Sequence, residues 1–182
     1  MRDYNVLVTY HPNQKAHAQE EVAIVLRDAG IRLEDMIESI VPGLLHLRVE
    51  GDGRSQMRKL RDFALRFPEV FRHTHRWTPI EQWLRSTPEA MTSGARELGA
   101  RIGEDERWKL SLNKRLYEGA GTRDLVRLLT DQIDAGPVDL EEPEKVLVVE
   151  IVGEYAGFSL ISPDEWLDVN EARLEAGMQK IY

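Results

Sequence analysis

The order of hydrophobic periods in the first 77 residues constrains the fold of this chain more than any other feature. Four segments are rich in β-branched and aromatic residues or alternate apolar with polar residues, as strands do, at residues 4–10, 34–40, 45–49 and 70–77. Two further segments repeat apolar residues at spacings of three and four, as amphipathic helices do, at residues 18–29 and 57–67. The predicted order is therefore β-α-β-β-α-β.

This order is typical of a ferredoxin-like domain, in which two helices cover one face of a four-stranded antiparallel sheet. After Pro79 the periodicity predicts further elements, with helices at residues 89–102 and 123–135 and strands at 107–113, 145–152 and 158–161. We therefore predict an α+β chain: an N-terminal ferredoxin-like domain at residues 1–79, a second α/β domain at residues 80–165 and an acidic C-terminal tail at residues 166–182.

The composition excludes several classes of protein. The 182 residues contain no cysteine, which rules out disulfides, thiolate catalysis, iron–sulfur clusters and cysteine zinc sites. The first residues become polar before any long apolar run, and no stretch approaches the roughly 18 apolar residues of a membrane span. We expect a cytoplasmic protein with no signal peptide and no contact with membranes.

The charge is unevenly distributed along a chain whose net charge is −8. Residues 54–76 (the first island) have seven basic and two acidic residues, residues 107–127 (the second island) have six and two, and residues 128–182 have three and 13. Basic islands in an acidic chain indicate a surface for nucleic acid, with an ordinary solvated charged surface as the alternative. The candidate phosphate contacts are Arg54, Arg58 and Arg61 in the first island and Lys109, Lys114, Arg115, Arg123 and Arg127 in the second. We expect the acidic C-terminal segment to face away from RNA.

The helix predicted at residues 123–135 begins inside the second island. Thr122 is placed to cap it, and the unpaired N–H groups of its first turn would lie beside Arg123. A helix start of this kind, next to a cation, can hold a phosphate group.

The motifs of common catalytic and cofactor sites are absent from the sequence. It contains no phosphate-binding G-x-x-x-x-G-K-[ST] loop, no G-x-G-x-x-G after a strand and no G-x-S-x-G elbow. His73 and His75 would project from one face of a strand, but no third metal ligand is evident, and a structural zinc site needs four. We therefore expect no catalytic residues, no metal and no cofactor.

The second half of the chain resembles the THUMP domain, an RNA-binding module of several tRNA-modifying proteins. The similarity lies in Trp108-Lys-Leu-Ser-Leu-Asn-Lys-Arg115, Thr122-Arg-Asp-Leu125, Val138-Asp-Leu-Glu-Glu-Pro143, the V-x-V-E-I core of residues 145–151 and Gly157-Phe158-Ser159. It covers roughly residues 80–165, and the family also carries a preceding ferredoxin-like unit. One departure is Arg123, where the family often has an acidic residue.

The resemblance implies that the two domains together bind tRNA. Most members of the family fuse the module to a catalytic domain, whereas this sequence is similar to the stand-alone members, which are non-catalytic adaptors that present tRNA to the acetyltransferase of N4-acetylcytidine formation. The alternative from another class is a small-molecule-binding regulatory module, since ferredoxin-like domains also serve as ligand sensors. An acylphosphatase-like enzyme is a further alternative, but its Arg and Asn have no convincing counterpart in the sequence.

Overall fold

The computed structural model describes residues 3–182 and divides the chain into two units. Unit 1 comprises Met1–Ile80 and Asp164–Tyr182, and unit 2 comprises Glu81–Pro163. The strands are β1 (Val6–Tyr10), β2 (Leu33–Glu38), β3 (Leu44–Val49), β4 (Thr74–Pro79), β5 (Gln82–Arg85), β6 (Trp108–Arg115), β7 (Lys145–Val152), β8 (Tyr155–Ile161) and β9 (Leu167–Asp168). The helices are α1 (Lys15–Asp28), α2 (Gly53–Arg66), α3 (Pro88–Gly99), α4 (Thr122–Thr130) and α5 (Val169–Glu175).

Unit 1 is built on an antiparallel sheet with the strand order β2-β3-β1-β4-β9. Its core joins the inner faces of α1 and α2 to alternate residues of the strands, such as Val6 and Val8 of β1. Helix α2 begins where the Asp52 carboxylate accepts hydrogen bonds from the backbone N–H groups of Arg54 and Ser55, and it ends before Pro68.

The C-terminal residues are part of unit 1, whereas the sequence predicts a separate acidic tail at residues 166–182. Strand β9 pairs with β4, opposing Leu167 to Trp77, and α5 buries Val169 and Ala172 in the core of unit 1. The few apolar residues of this segment are hard to recognise in the sequence, because carboxylates outnumber them. The burial of these apolar residues holds the segment on unit 1.

Unit 2 has a mixed sheet with the order β5-β8-β7-β6, in which β6 and β7 are parallel and the other neighbours are antiparallel. Helices α3 and α4 pack on one face, where Met91 and Leu125 meet Trp108 and Val149 of the strands. Strand β5 is not predicted from the sequence. The architecture of the chain is therefore mixed α/β with two open sheets. Within residues 3–182, no helix has the length and the apolar character needed to cross a membrane.

Candidate nucleic-acid interface

Helix α4 begins without a side-chain cap. Its N-cap is Gly121 in an extended conformation, and Thr122 is the first helical residue, so the predicted capping role of Thr122 is wrong. Glycine has no side chain that could accept hydrogen bonds from the N–H groups of the first turn. No side chain of the N-cap residue therefore accepts hydrogen bonds at the positive end of the α4 dipole. Asp124 adds one carboxylate to the first turn.

Three cations lie on α4 or in the strand before it: Lys114 at the end of β6, Arg123 in the first turn of α4 and Arg127 in its last turn. We call Lys114, Arg123 and Arg127 the α4 patch. Arg123 and Arg127 are four residues apart and share one face of α4. Arg123 is exposed and forms no ion pair with any residue of the range 3–182, and Arg127, whose side chain is 85% exposed, lies 3.9 Å from Asp131. An exposed pair at that distance contributes little, so both guanidinium groups can bind an external anion.

Lys114 is held at the end of β6 by the loop that leads to α4. Its Nζ donates a hydrogen bond of 3.3 Å to the carbonyl of Ala120 and lies 5.9 Å from the ring centre of Tyr117. Leu116, which directly follows β6, has φ of 51°, an unusual conformation for a residue other than glycine. Its side chain is also exposed, at 64%. The structure thus adds Leu116 to the surroundings of the patch, a residue that no sequence motif indicated.

Lys109 and Arg115 belong to the same predicted group but not to the α4 patch. Successive residues of a strand point to opposite faces, so both lie on the face of β6 opposite to Lys114. Lys109 Nζ donates to the carbonyl of Leu140 at 3.4 Å.

Arg115 forms the shortest ion pair of this region. Its Nη1 lies 2.6 Å from Oε2 of Glu150, whose other oxygen accepts a hydrogen bond of 2.9 Å from Asn113. The Glu150 side chain is 4% exposed and that of Arg115 is 25% exposed. The charge of Arg115 is therefore compensated inside unit 2, and its contact with phosphate stays a prediction.

The predicted cations of the first island face carboxylates of the C-terminal segment. Arg58 donates to Asp164 at 2.8 Å and to Glu165 at 2.7 Å, and Arg61 pairs with Glu175 at 3.2 Å. The hydrogen bond that Arg58 donates to Asp164 raises the pKa of Arg58 above its ordinary value. The acidic segment thus covers the basic face of α2, which contradicts the expectation that it lies apart from the predicted RNA surface.

The remaining cation of that predicted set, Arg54, lies 3.8 Å from Asp52 at the start of α2. Arg76 of the same island lies 3.4 Å from Asp168. Each of these four arginines, at positions 54, 58, 61 and 76, thus lies within 4 Å of a carboxylate of unit 1. Phosphate binding by Arg54, Arg58 and Arg61 stays a prediction.

The two candidate metal-binding histidines have other surroundings. His73 stacks on His17, with ring centres 5.0 Å apart, and its Nδ1 lies 2.7 Å from Oε1 of Gln14. Burial lowers the pKa of His75, and the nearby His11 lowers it further. Across residues 3–182 the structure has no group of three His, Asp or Glu side chains that could hold a metal ion.

Comparisons with known proteins give a fold but no close relative. No protein-family model matches the sequence, and no curated protein matches it. Among solved structures, the chain is similar to PH1313 from Pyrococcus horikoshii, with a TM-score of 0.62 and 12% identity, over 89% of this chain and 55% of that one. It is also similar to TrmN from Thermus thermophilus, with a TM-score of 0.52 and 16% identity, over 85% of this chain and 44% of that one.

A third similar structure is a 4-thiouridine synthetase in complex with RNA and ATP, with a TM-score of 0.50 and 12% identity. The match covers 91% of this chain and 42% of the synthetase. The chain thus spans about half the length of each of these proteins, all three of which are THUMP-domain proteins. At this level of identity the similarity concerns the fold alone, and the fold of this chain is similar to that of THUMP-domain proteins.

Proposed function

We propose that this protein binds tRNA and that the α4 patch is the main contact with the phosphate backbone. The observation that carries the proposal is the uncapped start of α4 beside Arg123, a cation without an ion pair in the described part of the chain. Backbone N–H groups at a helix start and adjacent guanidinium groups are the donors that phosphate oxygens prefer. The basic face of α2 is compensated by carboxylates, so we assign Arg54, Arg58 and Arg61 mainly to the stability of unit 1.

The similarity of fold supports RNA as the anion. One of the similar structures contains RNA in its complex, and the sequence resembles the RNA-binding module of tRNA-modifying proteins. Phosphate contacts of this kind position an RNA without reading its sequence. Lys109 on the other face of β6 and Arg115 beside Glu150 are secondary candidates for contact.

The proposal extends to a non-catalytic role. We propose an adaptor that presents tRNA to the acetyltransferase of N4-acetylcytidine formation, because the sequence lacks the motifs of the usual catalysts and resembles the stand-alone THUMP proteins. We also propose that unit 1 is a ferredoxin-like domain, which the strand order β2-β3-β1-β4 and the element order β-α-β-β-α-β support. Addition of the purified chain to a purified tRNA acetyltransferase should then raise the yield of N4-acetylcytidine, and an unchanged yield would contradict the adaptor role.

The RNA contact is tested by the salt dependence of tRNA binding. The triple variant Lys114→Gln/Arg123→Gln/Arg127→Gln should bind total tRNA more weakly at every salt concentration. The slope of log K against log salt should become shallower by about 2–3, since each lost phosphate contact removes about 0.7–0.9 from it. Fluorescence anisotropy with labelled tRNA at several salt concentrations measures both quantities.

The matched control removes three cations from exposed positions elsewhere. Arg27, Arg32 and Lys180 are exposed residues of unit 1 outside both islands, so Arg27→Gln/Arg32→Gln/Lys180→Gln changes the net charge equally. This control should keep the wild-type slope. Equal slopes for the two triple variants would show that net charge, and not the α4 patch, determines binding.

A further inference from the structure

A cleft of about 320 Å³ opens on unit 1 between one face of α1 and the turn that leads into β4. Its floor is apolar and exposed, formed by Ile24 of α1 and Val70 of the turn. The carboxylates of Glu20 and Glu69 and the rings of His17 and His73 line the rest, with Glu21 and Arg72. The α1 residues of this lining follow the spacing i, i+3, i+4 and i+7, so they lie along one face of the helix.

The lining of this cleft has an excess of negative charge, because it contains three glutamates and one arginine. Glu20 and Glu69 form no ion pair with any residue between positions 3 and 182, and both are exposed. Arg72, the one cation of this lining, forms no ion pair with either carboxylate, and its Nε donates to the backbone carbonyl of Glu69 at 3.1 Å. A cation that entered the cleft would therefore meet two available carboxylates.

Glu21 fixes the wall of the cleft and does not serve as a third free charge. Its buried carboxylate accepts hydrogen bonds from the backbone N–H groups of Arg72, His73 and Thr74, at 2.7, 2.8 and 2.9 Å, and another from the Thr74 hydroxyl at 2.6 Å. Four donors satisfy this carboxylate and tie the turn to α1. The two sides of the cleft are thus held in place before any ligand binds.

The histidines add a flat aromatic surface. The rings of His17 and His73 are stacked with an angle of 26° between their planes. An amide oxygen only accepts, so Nδ1 of His73 donates to Oε1 of Gln14, and in the neutral form of the ring Nε2 can accept from an N–H donor. A planar cation fits such a surface better than a compact one.

We propose that this cleft binds an arginine side chain of a partner protein. The methylene groups of the arginine lie on Ile24 and Val70, and the guanidinium group lies against the histidine pair and donates to Glu20 and Glu69. Arginine is favoured over lysine because its planar, weakly hydrated fork stacks on rings and donates to two oxygens at once. RNA is disfavoured here, since its phosphates would face two uncompensated carboxylates.

The test uses the ¹⁵N-labelled full chain and the probe peptide acetyl-Gly-Arg-Gly-amide. We expect backbone amide shifts confined to α1 and residues 69–73, with a dissociation constant of about 1–10 mM, a range suited to a single side chain. The corresponding lysine peptide should bind at least about threefold more weakly, and the citrulline peptide, which has the shape of arginine without its charge, should cause no shifts.

The variant Glu20→Gln/Glu69→Gln should bind the arginine peptide at least about threefold more weakly, the loss expected for two exposed charge pairs. The control Glu97→Gln/Glu104→Gln changes the charge equally at exposed positions of unit 2 and should bind as the wild type does. Shifts scattered over the surface, equal binding by citrulline or lysine, or no loss in the Glu20/Glu69 variant would each overturn the proposal. Both variants should keep the wild-type affinity for tRNA, so this result is read separately from the function of the α4 patch.

Discussion

Substitution of Arg115 tests whether this predicted phosphate contact of the second island stabilises the fold of unit 2. The substitution Arg115→Gln removes a cation 2.6 Å from Glu150 and leaves that carboxylate, 4% exposed, with Asn113 as its remaining side-chain donor. Breaking a buried pair by removing one partner costs about 3–5 kcal/mol. We expect the lower end, about 3 kcal/mol, because Arg115 is itself 25% exposed and one donor remains.

The reverse substitution should cost less. In Glu150→Gln the Arg115 side chain is still 25% exposed, so water can solvate its charge. We therefore expect the free energy of unfolding to fall by only about 1 kcal/mol. In the double variant Arg115→Gln/Glu150→Gln neither charge remains, and we expect recovery of at least about 1 kcal/mol over Arg115→Gln. The matched control is Arg123→Gln, which removes the same charge from an exposed position without an ion pair in the described chain and should change stability by less than about 0.5 kcal/mol.

Hydrogen exchange of the β6 and β7 amides as a function of urea measures these differences within unit 2, without assuming that both units unfold together. Equal protection in Arg115→Gln and Arg123→Gln would refute the structural assignment of Arg115. A loss in Arg115→Gln that Glu150→Gln does not reduce would refute the pairing itself.

Other predictions concern unit 1. Burial lowers the pKa of His46 to about 4, so between pH 6.5 and 4 the unfolded chain binds a proton that the folded chain does not. Stability should then be full above pH 6.5 and fall by up to about 3 kcal/mol towards pH 4, and His46→Leu should remove this part of the pH dependence in urea unfolding. Asp52→Ala removes the cap of α2 and should lower the free energy of unfolding by about 1 kcal/mol, with Asp52→Asn close to the wild type. Gly43→Ala should cost about 1–3 kcal/mol, since Gly43 has φ of 84° and a Cβ atom would lie 2.8 Å from the Tyr10 carbonyl; a thermal shift within error of the wild type would contradict the strain.

The spacing of hydrophobic residues predicted most of the helices and strands, because the amphipathic face of such an element depends only on residues close together in the sequence. The β-α-β-β-α-β order of the first unit corresponds to the elements from β1 to β4. Short elements escaped prediction: β5 has four residues and β9 has two, too few for a period to emerge. Helix α5 is not predicted because four of its seven residues are charged or polar and obscure the buried Val169 and Ala172.

The candidate site was harder to predict than the fold, because pairing depends on residues distant in sequence. Arg58 and Arg61 fall within the helix predicted at residues 57–67, but their carboxylate neighbours include Asp164 and Glu175, more than 100 residues away. The same limit applies to Arg115, whose partner Glu150 is 35 residues away on the parallel strand β7. The residue type of Thr122 predicts a helix cap, yet the preceding Gly121 occupies the N-cap position.

For the proposed contact with tRNA, the ion pairs that each arginine already forms matter more than the net charge of its island. Both islands carry an excess of basic residues, but the return of the C-terminal segment to unit 1 places Glu165 and Glu175 against the arginines of α2. In unit 2 the buried Glu150 forms an ion pair with Arg115, while the charge of Arg123 at the start of α4 can still bind an external anion. A phosphate at the α2 face must first displace carboxylates already in place, whereas Arg123 at the start of α4 has no ion pair to break within residues 3–182. The cost of that exchange therefore favours the second island, although the first has the larger excess of positive charge.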